Sequence, residues 1–249
     1  YMYKIYIMIH FITYGDEKYE RQKLELGKIV RDSLWFDDVS IYGPTDLDPT
    51  FVENNSEILK HATGGGYWIW KPYIIMKKLN EINDDDILIY LDSGCSLNLK
   101  GEKRFNEYIE IVKNSCKGIL SFQLFKEWGS TIPLLEKNWT NQFLFDYLNA
   151  NKEEIKDTPQ LVGGIIIMKK CKNVIDIFTH ALKILEEKPL FYQQCKRHDQ
   201  SILSLLRKIY GTEIIPDETF FKHSIEVHPL CWDDPVSLEF PFHARRIRK

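Results

Sequence analysis

The sequence is most informative at Asp84-Asp85-Asp86-Ile87-Leu88-Ile89-Tyr90-Leu91-Asp92-Ser93-Gly94-Cys95. Three acidic residues typical of a turn come first, and five apolar residues follow them without a polar interruption. A run this short and this rich in Ile and Leu predicts a strand that is buried on both faces. Asp92 then stands at the carboxyl end of that strand, which is the edge of an open α/β sheet where ligands bind.

A carboxylate at this edge suits a divalent cation, and the cation can in turn hold a phosphate. The same residues also fit an ordinary Asp-Ser-Gly turn that needs no ligand. This stretch alone does not distinguish a cation site from an ordinary turn, so the flanking sequence is needed as well.

The composition is that of an ordinary globular protein. Hydrophobic residues make up 44% of the 249 positions and charged residues 28%, and this length suits one large α/β domain or two small ones. The 33 basic and 36 acidic residues give a formal net charge of -3. Because phosphate neutralisation needs a basic excess, we expect no nucleic-acid partner.

The cysteines and the apolar segments indicate the compartment. The five cysteines are scattered and none form a CxxC pair, which favours free thiols in a reducing environment. The apolar run at residues 5–12 is too short to span a bilayer and is interpreted as a strand. We therefore expect a cytoplasmic protein without a transmembrane segment, in the host cytoplasm if the chain is viral.

The pattern of apolar residues predicts alternating strands and helices. A strand at residues 4–12, a helix at 17–33 and a strand at 39–42 form a β-α-β unit, which implies parallel pairing. The segment 125–141 resists a regular assignment and is interpreted as a long loop that faces an acceptor. Further helices are expected at 72–79, 104–113, 142–149, 174–185 and 201–209, and further strands at 118–122, 160–168 and 214–216.

A glycine-rich and aromatic segment, Gly64-Gly65-Gly66-Tyr67-Trp68-Ile69-Trp70-Lys71-Pro72, precedes the helix at 72–79. Consecutive glycines let the backbone approach a ligand closely and expose its N–H groups. Lys71 stands at the start of the helix, where the helix dipole favours a negative charge over a lysine. An anion bound at this position would interact favourably with both the lysine and the helix dipole. The alternative is a mobile glycine loop beside a core Trp pair.

Three further positions are candidates for binding or catalysis. Thr13 and Tyr14 begin the turn at the carboxyl end of the first strand, where they can hydrogen-bond and stack on a base or form an ordinary turn. Asp199 comes just before an apolar helix face, where it is either a functional carboxylate or a helix cap. The basic C-terminal residues Arg245 and Arg246 suit phosphate oxygens or form a solvated end.

Five segments in this order resemble small nucleotide-sugar glycosyltransferases of the A-type fold, of the kind that bacteria and large DNA viruses encode. The segments are Phe11-Ile12-Thr13-Tyr14-Gly15-Asp16, Gly65-Gly66-Tyr67-Trp68-Ile69-Trp70-Lys71-Pro72, Tyr90-Leu91-Asp92-Ser93-Gly94-Cys95, Gln160-Leu161-Val162-Gly163-Gly164 and Arg197-His198-Asp199-Gln200-Ser201. The resemblance implies one α/β domain over residues 1–249, with a mixed, mainly parallel sheet flanked by helices. Residues 1–122 would form the nucleotide-sugar-binding half, and residues 123–249 the acceptor-binding half with the C-terminal tail.

The resemblance also implies a Mn²⁺ or Mg²⁺ ion on the donor diphosphate, held by Asp92. Enzymes of this type usually end the central strand in Asp-x-Asp, whereas Gly94 takes the third position here. His243 is the candidate for a second metal ligand. The implied donor-binding residues are Thr13, Tyr14, Gly15, Gly66, Trp70, Lys71, Asp92, Ser93, Gly94, Arg245 and Arg246, and the implied acceptor-binding residues are Trp128, Gly163 and Gly164.

The implied reaction moves a hexose or deoxyhexose from a nucleoside-diphosphate donor, with a UDP-sugar favoured, to a hydroxyl of a glycan or other acceptor. An inverting enzyme needs a general base opposite the leaving group, and Asp199 is the first candidate and His198 the second. In a retaining enzyme, Asp199 would instead orient hydroxyls of the donor or acceptor.

Two other classes of protein stay open as alternatives. A strand that ends in Leu-Asp-Ser-Gly is also found in phosphoryl-transfer enzymes with a nucleophilic Asp, although Gly94 takes the place of their second acid. The tryptophans would also suit a carbohydrate-binding module without catalytic activity, but that interpretation leaves the glycine-lysine segment unexplained.

Overall fold

The computed structural model describes residues 6–125, 132–220 and 235–245, and its centre is a six-stranded sheet. The chain's strands are β1 (Ile9–Tyr14), β2 (Asp38–Tyr42), β3 (Ile87–Leu91), β4 (Ser96–Leu97), β5 (Ile119–Gln123), β6 (Ile165–Lys169), β7 (Glu213–Pro216) and β8 (Phe242–His243). The order in the large sheet is β2-β1-β3-β6-β5-β7, and β4 pairs with β8 in a separate two-stranded sheet.

The large sheet is mixed and mainly parallel, as the sequence predicts. β1 pairs in parallel with β2 and β3, and β5 pairs in parallel with β7. β6 is antiparallel to both of its neighbours, β3 and β5. All residues of β3 are buried, which confirms the central strand predicted from its apolar run.

Helices cover both faces of the sheet. They are α1 (Glu20–Ser33), α2 (Pro49–Asn54), α3 (Ser56–Leu59), α4 (Gly64–Tyr67), α5 (Trp70–Glu81), α6 (Glu102–Asn114), α7 (Glu136–Trp139), α8 (Gln142–Tyr147), α9 (Glu153–Lys156), α10 (Lys172–Glu187), α11 (Leu190–Gln194) and α12 (His198–Tyr210). Because side chains alternate along a strand, β3 presents Ile87, Ile89 and Leu91 to α1 and α6. Leu88 and Tyr90 face the other way, toward α5, α10 and α12.

The structure differs from the sequence prediction at several boundaries. β6 begins only at Ile165, because the preceding residues leave the regular sheet and contact other segments: Val162 N–H donates to Phe122 O, and Leu161 forms an isolated bridge with Gln123. β1 runs from Ile9 to Tyr14, whereas a strand at residues 4–12 was predicted, of which residues 4 and 5 lie outside the described ranges. The segment expected to be a loop contains α7, while residues 126–131 lie outside the described part of the chain.

No helix in the described ranges combines the length and the apolar character that crossing a membrane requires. The cytoplasmic location stays a prediction from the sequence.

Candidate functional site

A cleft of about 770 Å³ opens at the edge of the sheet where the parallel strands have their carboxyl ends. Residues that follow β1, β3, β5 and β7 line it, together with the first residues of α12. Since β6 is antiparallel, the residues just before it, Gly163 and Gly164, reach the same edge. The cleft therefore collects the chain segments on which ligands bind in open α/β sheets.

Lys71, on the first turn of α5, lies at the centre of this cleft and is only 2% exposed. Its Nζ lies 2.6 Å from Asp199 Oδ2 and 3.2 Å from Asp92 Oδ1. It also donates to the carbonyl oxygen of Gly163 at 3.1 Å. Three candidates from three separate sequence segments, Lys71, Asp92 and Asp199, are thus in direct contact.

Asp92 follows β3 directly and is the most open member of this cluster, with 37% of its side chain exposed. Its Oδ1 also accepts a hydrogen bond of 2.5 Å from the Tyr90 hydroxyl. Its backbone N–H donates to Gly164 O at 2.8 Å. A Cβ atom on Gly164 would come within 2.6 Å of Asp92 Oδ2, so only glycine leaves room for the carboxylate.

Burial and the charge of the ion-pair partner shift the pKa of Lys71, and likewise that of Asp199, in opposite directions. Burial raises the pKa of Asp199, and the nearby Asp92 charge raises it further, while the Lys71 ammonium lowers it. Burial on its own would lower the pKa of Lys71, but Asp199 and Asp92 outweigh it and the pKa is raised. Lys71 is therefore a protonated, buried cation.

Asp199 does not act as the cap of α12. The residue at the N-cap is Arg197, which makes no side-chain capping bond, and Asp199 belongs to the first helical turn. The Asp199 carboxylate is turned toward Lys71, with the side chain 6% exposed. The sequence left two roles open for Asp199, a functional carboxylate and a helix cap, and this geometry does not support the cap.

His198, the second catalytic candidate, lines the cleft in a strained backbone conformation with φ +46°. Its ring stacks against Trp68 at a centroid distance of 5.6 Å. The Nδ1 atom lies 2.8 Å from the Tyr192 carbonyl oxygen. Because a carbonyl only accepts, Nδ1 carries a proton in this contact and the ring is held in one orientation.

An aromatic pair forms one wall of the cleft. The rings of Tyr14 and Trp70 stack at 3.9 Å with an angle of 20° between their planes. The Trp70 indole N–H donates to Gly64 O at 2.9 Å, which fixes the pair against the glycine segment. The sequence-predicted donor residues that line the cleft are Tyr14, Gly15, Trp70, Lys71, Asp92, Ser93 and Gly94.

Other predicted donor residues lie elsewhere. Thr13 is fully buried and does not line the cleft. Gly66 packs against α3, where a Cβ atom would come within 2.8 Å of Leu59 Cα, so this glycine allows a close approach of chain to chain. Arg245 is exposed just after β8, and Arg246 lies outside the described residues.

The residues predicted to bind an acceptor are only partly described. Gly163 and Gly164 line the cleft, and the Gly163 N–H donates to Gln200 Oε1 at 3.1 Å. Trp128 lies outside the described part of the chain. Trp139 belongs to the segment expected to face an acceptor but was not predicted as a site residue; it lines the same cleft, and the Arg197 guanidinium lies over its ring at 4.5 Å.

The sequence analysis also missed Asp217, which follows β7 as Asp92 follows β3 and lines the cleft wall. Its Oδ1 accepts from Thr219 N and Oγ1 at 2.9 and 2.6 Å. Its buried Oδ2 has no hydrogen-bond partner among the described residues. Burial raises the pKa of Asp217 to about 6, against the hydrogen bonds from Thr219. An acid after a short apolar strand was the signal that identified Asp92, and it applied here as well.

Of the two residues expected to hold a divalent cation, Asp92 lines the cleft and His243 does not. His243 is buried on β8, its Nε2 donates to Ser237 O at 2.9 Å, and it does not line the cleft. Across the described ranges, no three His, Cys, Asp or Glu side chains form a group suited to a metal ion. Asp92 Oδ1 is already engaged by Lys71 and Tyr90. These residues do not form a cation site on their own, and the Mn²⁺ or Mg²⁺ ion stays a prediction.

No protein-family model matches the sequence, and no curated protein matches it. Among solved structures, the chain is similar to a glycosyltransferase involved in the glycosylation of the major capsid of PBCV-1, with a TM-score of 0.56 and 11% identity. That similarity covers 95% of this chain and 92% of the other. Mouse xyloside xylosyltransferase 1 in its apo form gives a TM-score of 0.49 at 9% identity over 85% of this chain and 86% of its own, too low to carry an argument. The first similarity shows the fold alone: this chain has a glycosyltransferase-like α/β fold.

Proposed function

We propose that this chain is a glycosyltransferase that moves a sugar from a nucleoside-diphosphate donor to a hydroxyl of an acceptor. Because one fold hosts many functions, the proposal rests on the site. The observation that carries it is the buried cluster of Lys71, Asp92 and Asp199 at the carboxyl edge of the sheet. A cluster of this kind in a cleft marks a functional site, since paired charges are costly to bury.

The cleft offers suitable surfaces for a nucleotide. The stacked rings of Tyr14 and Trp70 present an apolar wall for a base or ribose, and Gly15 and Gly65 beside them leave space for it. The diphosphate would then lie near the end of β3, at Ser93 and Gly94. We favour a UDP-sugar as the donor and a hexose or deoxyhexose as the transferred group.

In the proposed reaction, the bond between sugar C1 and the diphosphate oxygen breaks and a bond from C1 to the acceptor oxygen forms. The acceptor hydroxyl loses its proton, and an inverting enzyme takes it up on a carboxylate, for which Asp199 is our candidate. In a retaining enzyme, Asp199 would orient a substrate hydroxyl. A divalent cation, if bound, would supply charge stabilisation for the leaving diphosphate.

The acceptor would approach from the side of Trp139, Arg197 and Gln200, which line the cleft next to Asp199. Trp139 is held in place because its indole N–H donates to Pro133 O at 3.0 Å. A fixed indole suits the apolar face of a sugar ring. We therefore propose a glycan or glycoconjugate as the acceptor.

A thermal-shift panel tests this proposal against its alternatives. We expect UDP or GDP to raise the melting temperature more than the matching nucleosides do, because ligands that bind only the folded state stabilise it. Each nucleotide is measured with Mn²⁺ and with EDTA, which also tests the predicted cation. Stabilisation by free sugars alone would favour a carbohydrate-binding module, and turnover of p-nitrophenyl phosphate would favour phosphoryl transfer. A protein that responds to no nucleotide and hydrolyses no nucleotide sugar contradicts the proposal.

A further inference from the structure

The Lys71 ammonium has three protons, and three protein acceptors surround it. They are the Asp199 carboxylate at 2.6 Å, the Gly163 carbonyl at 3.1 Å and the Asp92 carboxylate at 3.2 Å. The aromatic ring of Tyr90 lies 5.2 Å from Nζ. A phosphate oxygen could reach this ammonium only by displacing one of the groups that already hold it.

Displacing either carboxylate is unfavourable. The Asp199 side chain is 6% exposed, and a buried carboxylate that loses its cation is left as an uncompensated charge. Two carboxylates around one ammonium also leave the cluster with an excess of negative charge, which repels a phosphate instead of attracting it. Lys71 is therefore poorly placed to bind a diphosphate, although it lines the cleft.

The same contacts join four separate parts of the chain. Lys71 belongs to α5, Asp92 follows β3, Gly163 precedes β6 and Asp199 begins α12. We propose that Lys71 is a positioning residue, whose ammonium holds Asp92 and Asp199 at a fixed separation across the floor of the cleft and does not bind the donor diphosphate. This inference rests on the proposed function, which defines the donor.

The test compares binding of UDP and uridine by calorimetry in the wild type and in variants that carry Lys71→Met, or GDP and guanosine if the panel favours GDP. Met keeps most of the side-chain volume and removes the charge. The affinity ratio is read in Lys71→Met/Asp199→Asn, which keeps the net charge of the cluster; we expect the ratio of UDP to uridine affinity in this double variant to stay within about twofold of the wild type, because no phosphate contact is lost. The transfer rate of Lys71→Met should fall by roughly 10²-fold or more, since both carboxylates lose their fixed geometry. A loss of tenfold or more in UDP affinity with unchanged uridine affinity in the double variant would overturn the inference.

Lys78→Met is the matched control. Lys78 lies on the same helix, is also buried and pairs with a carboxylate, Asp38, at 2.7 Å, but it does not line the cleft. Its replacement should lower stability without changing the transfer rate of the folded protein. Lys71→Arg adds a second comparison, because Arg keeps the charge and binds phosphate well but cannot donate to the same three acceptors. A positioning role predicts that Arg does not restore the rate, and full activity in Lys71→Arg would contradict it.

Two measurements keep the inference testable: the first applies if the wild type binds no nucleotide, and the second applies if Lys71→Met folds poorly. Lys71→Met/Asp199→Asn removes the carboxylate that the single variant leaves unpaired, so the double variant should be the more stable of the two. Equal stability would show that the ammonium does not hold Asp199. In wild-type protein with ¹⁵N-labelled lysine, UDP should leave the Lys71 Nζ resonance in place. A shift that UDP causes and uridine does not would mark a phosphate contact and overturn the inference.

Discussion

Asp199 is the residue whose replacement separates catalysis from structure most clearly. Asn has almost the same shape and can still accept a hydrogen bond from Lys71, which lies 2.6 Å from Oδ2. It cannot take up a proton from an acceptor hydroxyl. If Asp199 is the general base, Asp199→Asn should transfer sugar roughly 10²-fold more slowly with UDP affinity nearly unchanged. Steady-state rates and calorimetry measure the two quantities, with exposed Asp32→Asn as the control. A near wild-type rate would rule out the base assignment.

Asp217 should lower the stability of the folded protein at neutral pH. Burial raises the pKa of its carboxyl from 3.8 to about 6, so the folded state holds this proton to higher pH than the unfolded chain does. The stability that this proton contributes is complete below the unfolded pKa and is lost as the pH rises through about 6. Asp217→Asn cannot lose a proton, so it should be more stable than the wild type at pH 8 by ~3 kcal/mol, and by less at pH 5.

Urea unfolding at both pH values measures this difference. The other titratable group that acts on Asp217 is Glu218, whose charge also raises the Asp217 pKa. Glu218 is itself held by Arg104 at 2.8 Å and by the Tyr108 hydroxyl at 2.5 Å. The exposed Asp32→Asn variant should show no such pH dependence. An Asp217→Asn variant that is no more stable than the wild type at pH 8 would show that the carboxyl has a partner when folded.

Among the elements, β3 was predicted within its exact bounds, because five apolar residues between acidic turns determine a strand locally. β6 was predicted to begin too early, since Leu161 and Val162 extend its apolar run in the sequence and their departure from the sheet depends on distant partners. The antiparallel direction of β6 and the short helix α7 depend on such partners as well. Trp139 was missed because it lies on the short helix α7, which the sequence does not predict. Asp217 was missed although the strand before it, at residues 214–216, was predicted.

The residues at the centre of the site were easier to predict than those on its walls. Lys71 and Asp92 each interrupt an apolar or glycine-rich context, where a charge needs a partner, and Asp199 comes just before an apolar helix face. Thr13 and Gly66 were expected at the cleft because of their sequence neighbours. In the structure, Thr13 is buried and Gly66 packs against α3. Which way a strand or glycine segment turns depends on tertiary packing, which local patterns do not record.

The glycine pair before β6 should tolerate no side chain at its second position. A Cβ atom on Gly164 would come within 2.6 Å of Asp92 Oδ2 and force this carboxylate out of place. Gly164→Ala should therefore reduce transfer by roughly 10²-fold, far more than its modest loss of stability would explain. Gly43→Ala is the control, since its Cβ would come within 2.9 Å of Lys23 Nζ and would not contact Asp92. If both variants transfer sugar equally well, Gly164 does not determine the position of Asp92.

For the whole molecule, the cleft lies between the two predicted halves of the chain. Lys71 and Asp92 come from residues 1–122, and Gly163 and Asp199 come from residues 123–249, so the cluster forms only when both halves are folded. The C-terminal segment adds a further link, because β8 pairs with β4 directly after the Asp92 turn. Phe242 of β8 is buried, with its ring 6.0 Å from that of Phe105.

The pairing of β8 with β4 brings the residue after β8 to the cleft. Ala244 lines the cleft, and its N–H donates to Thr219 O at 2.6 Å. The exposed Arg245 follows directly. If the basic residues 245–249 bind the donor diphosphate, their deletion should weaken UDP binding by roughly tenfold or more, the free energy of one or two charge-assisted hydrogen bonds.

Uridine binding should stay unchanged in this deletion variant, because the nucleoside lacks the phosphates. The melting temperature should change little, since Phe242, which anchors β8 in the core, remains. Arg245→Gln/Arg246→Gln is the matched variant that keeps the full chain length, and it should reproduce the loss of UDP affinity. Equal weakening of UDP and uridine would point to a contact with the base or to a disturbed fold. Since Asp92, Asp199 and Gly163 already surround the Lys71 ammonium, an unchanged UDP affinity would leave the diphosphate to the cleft-lining Lys18, Lys196 and Arg197, or to a metal ion.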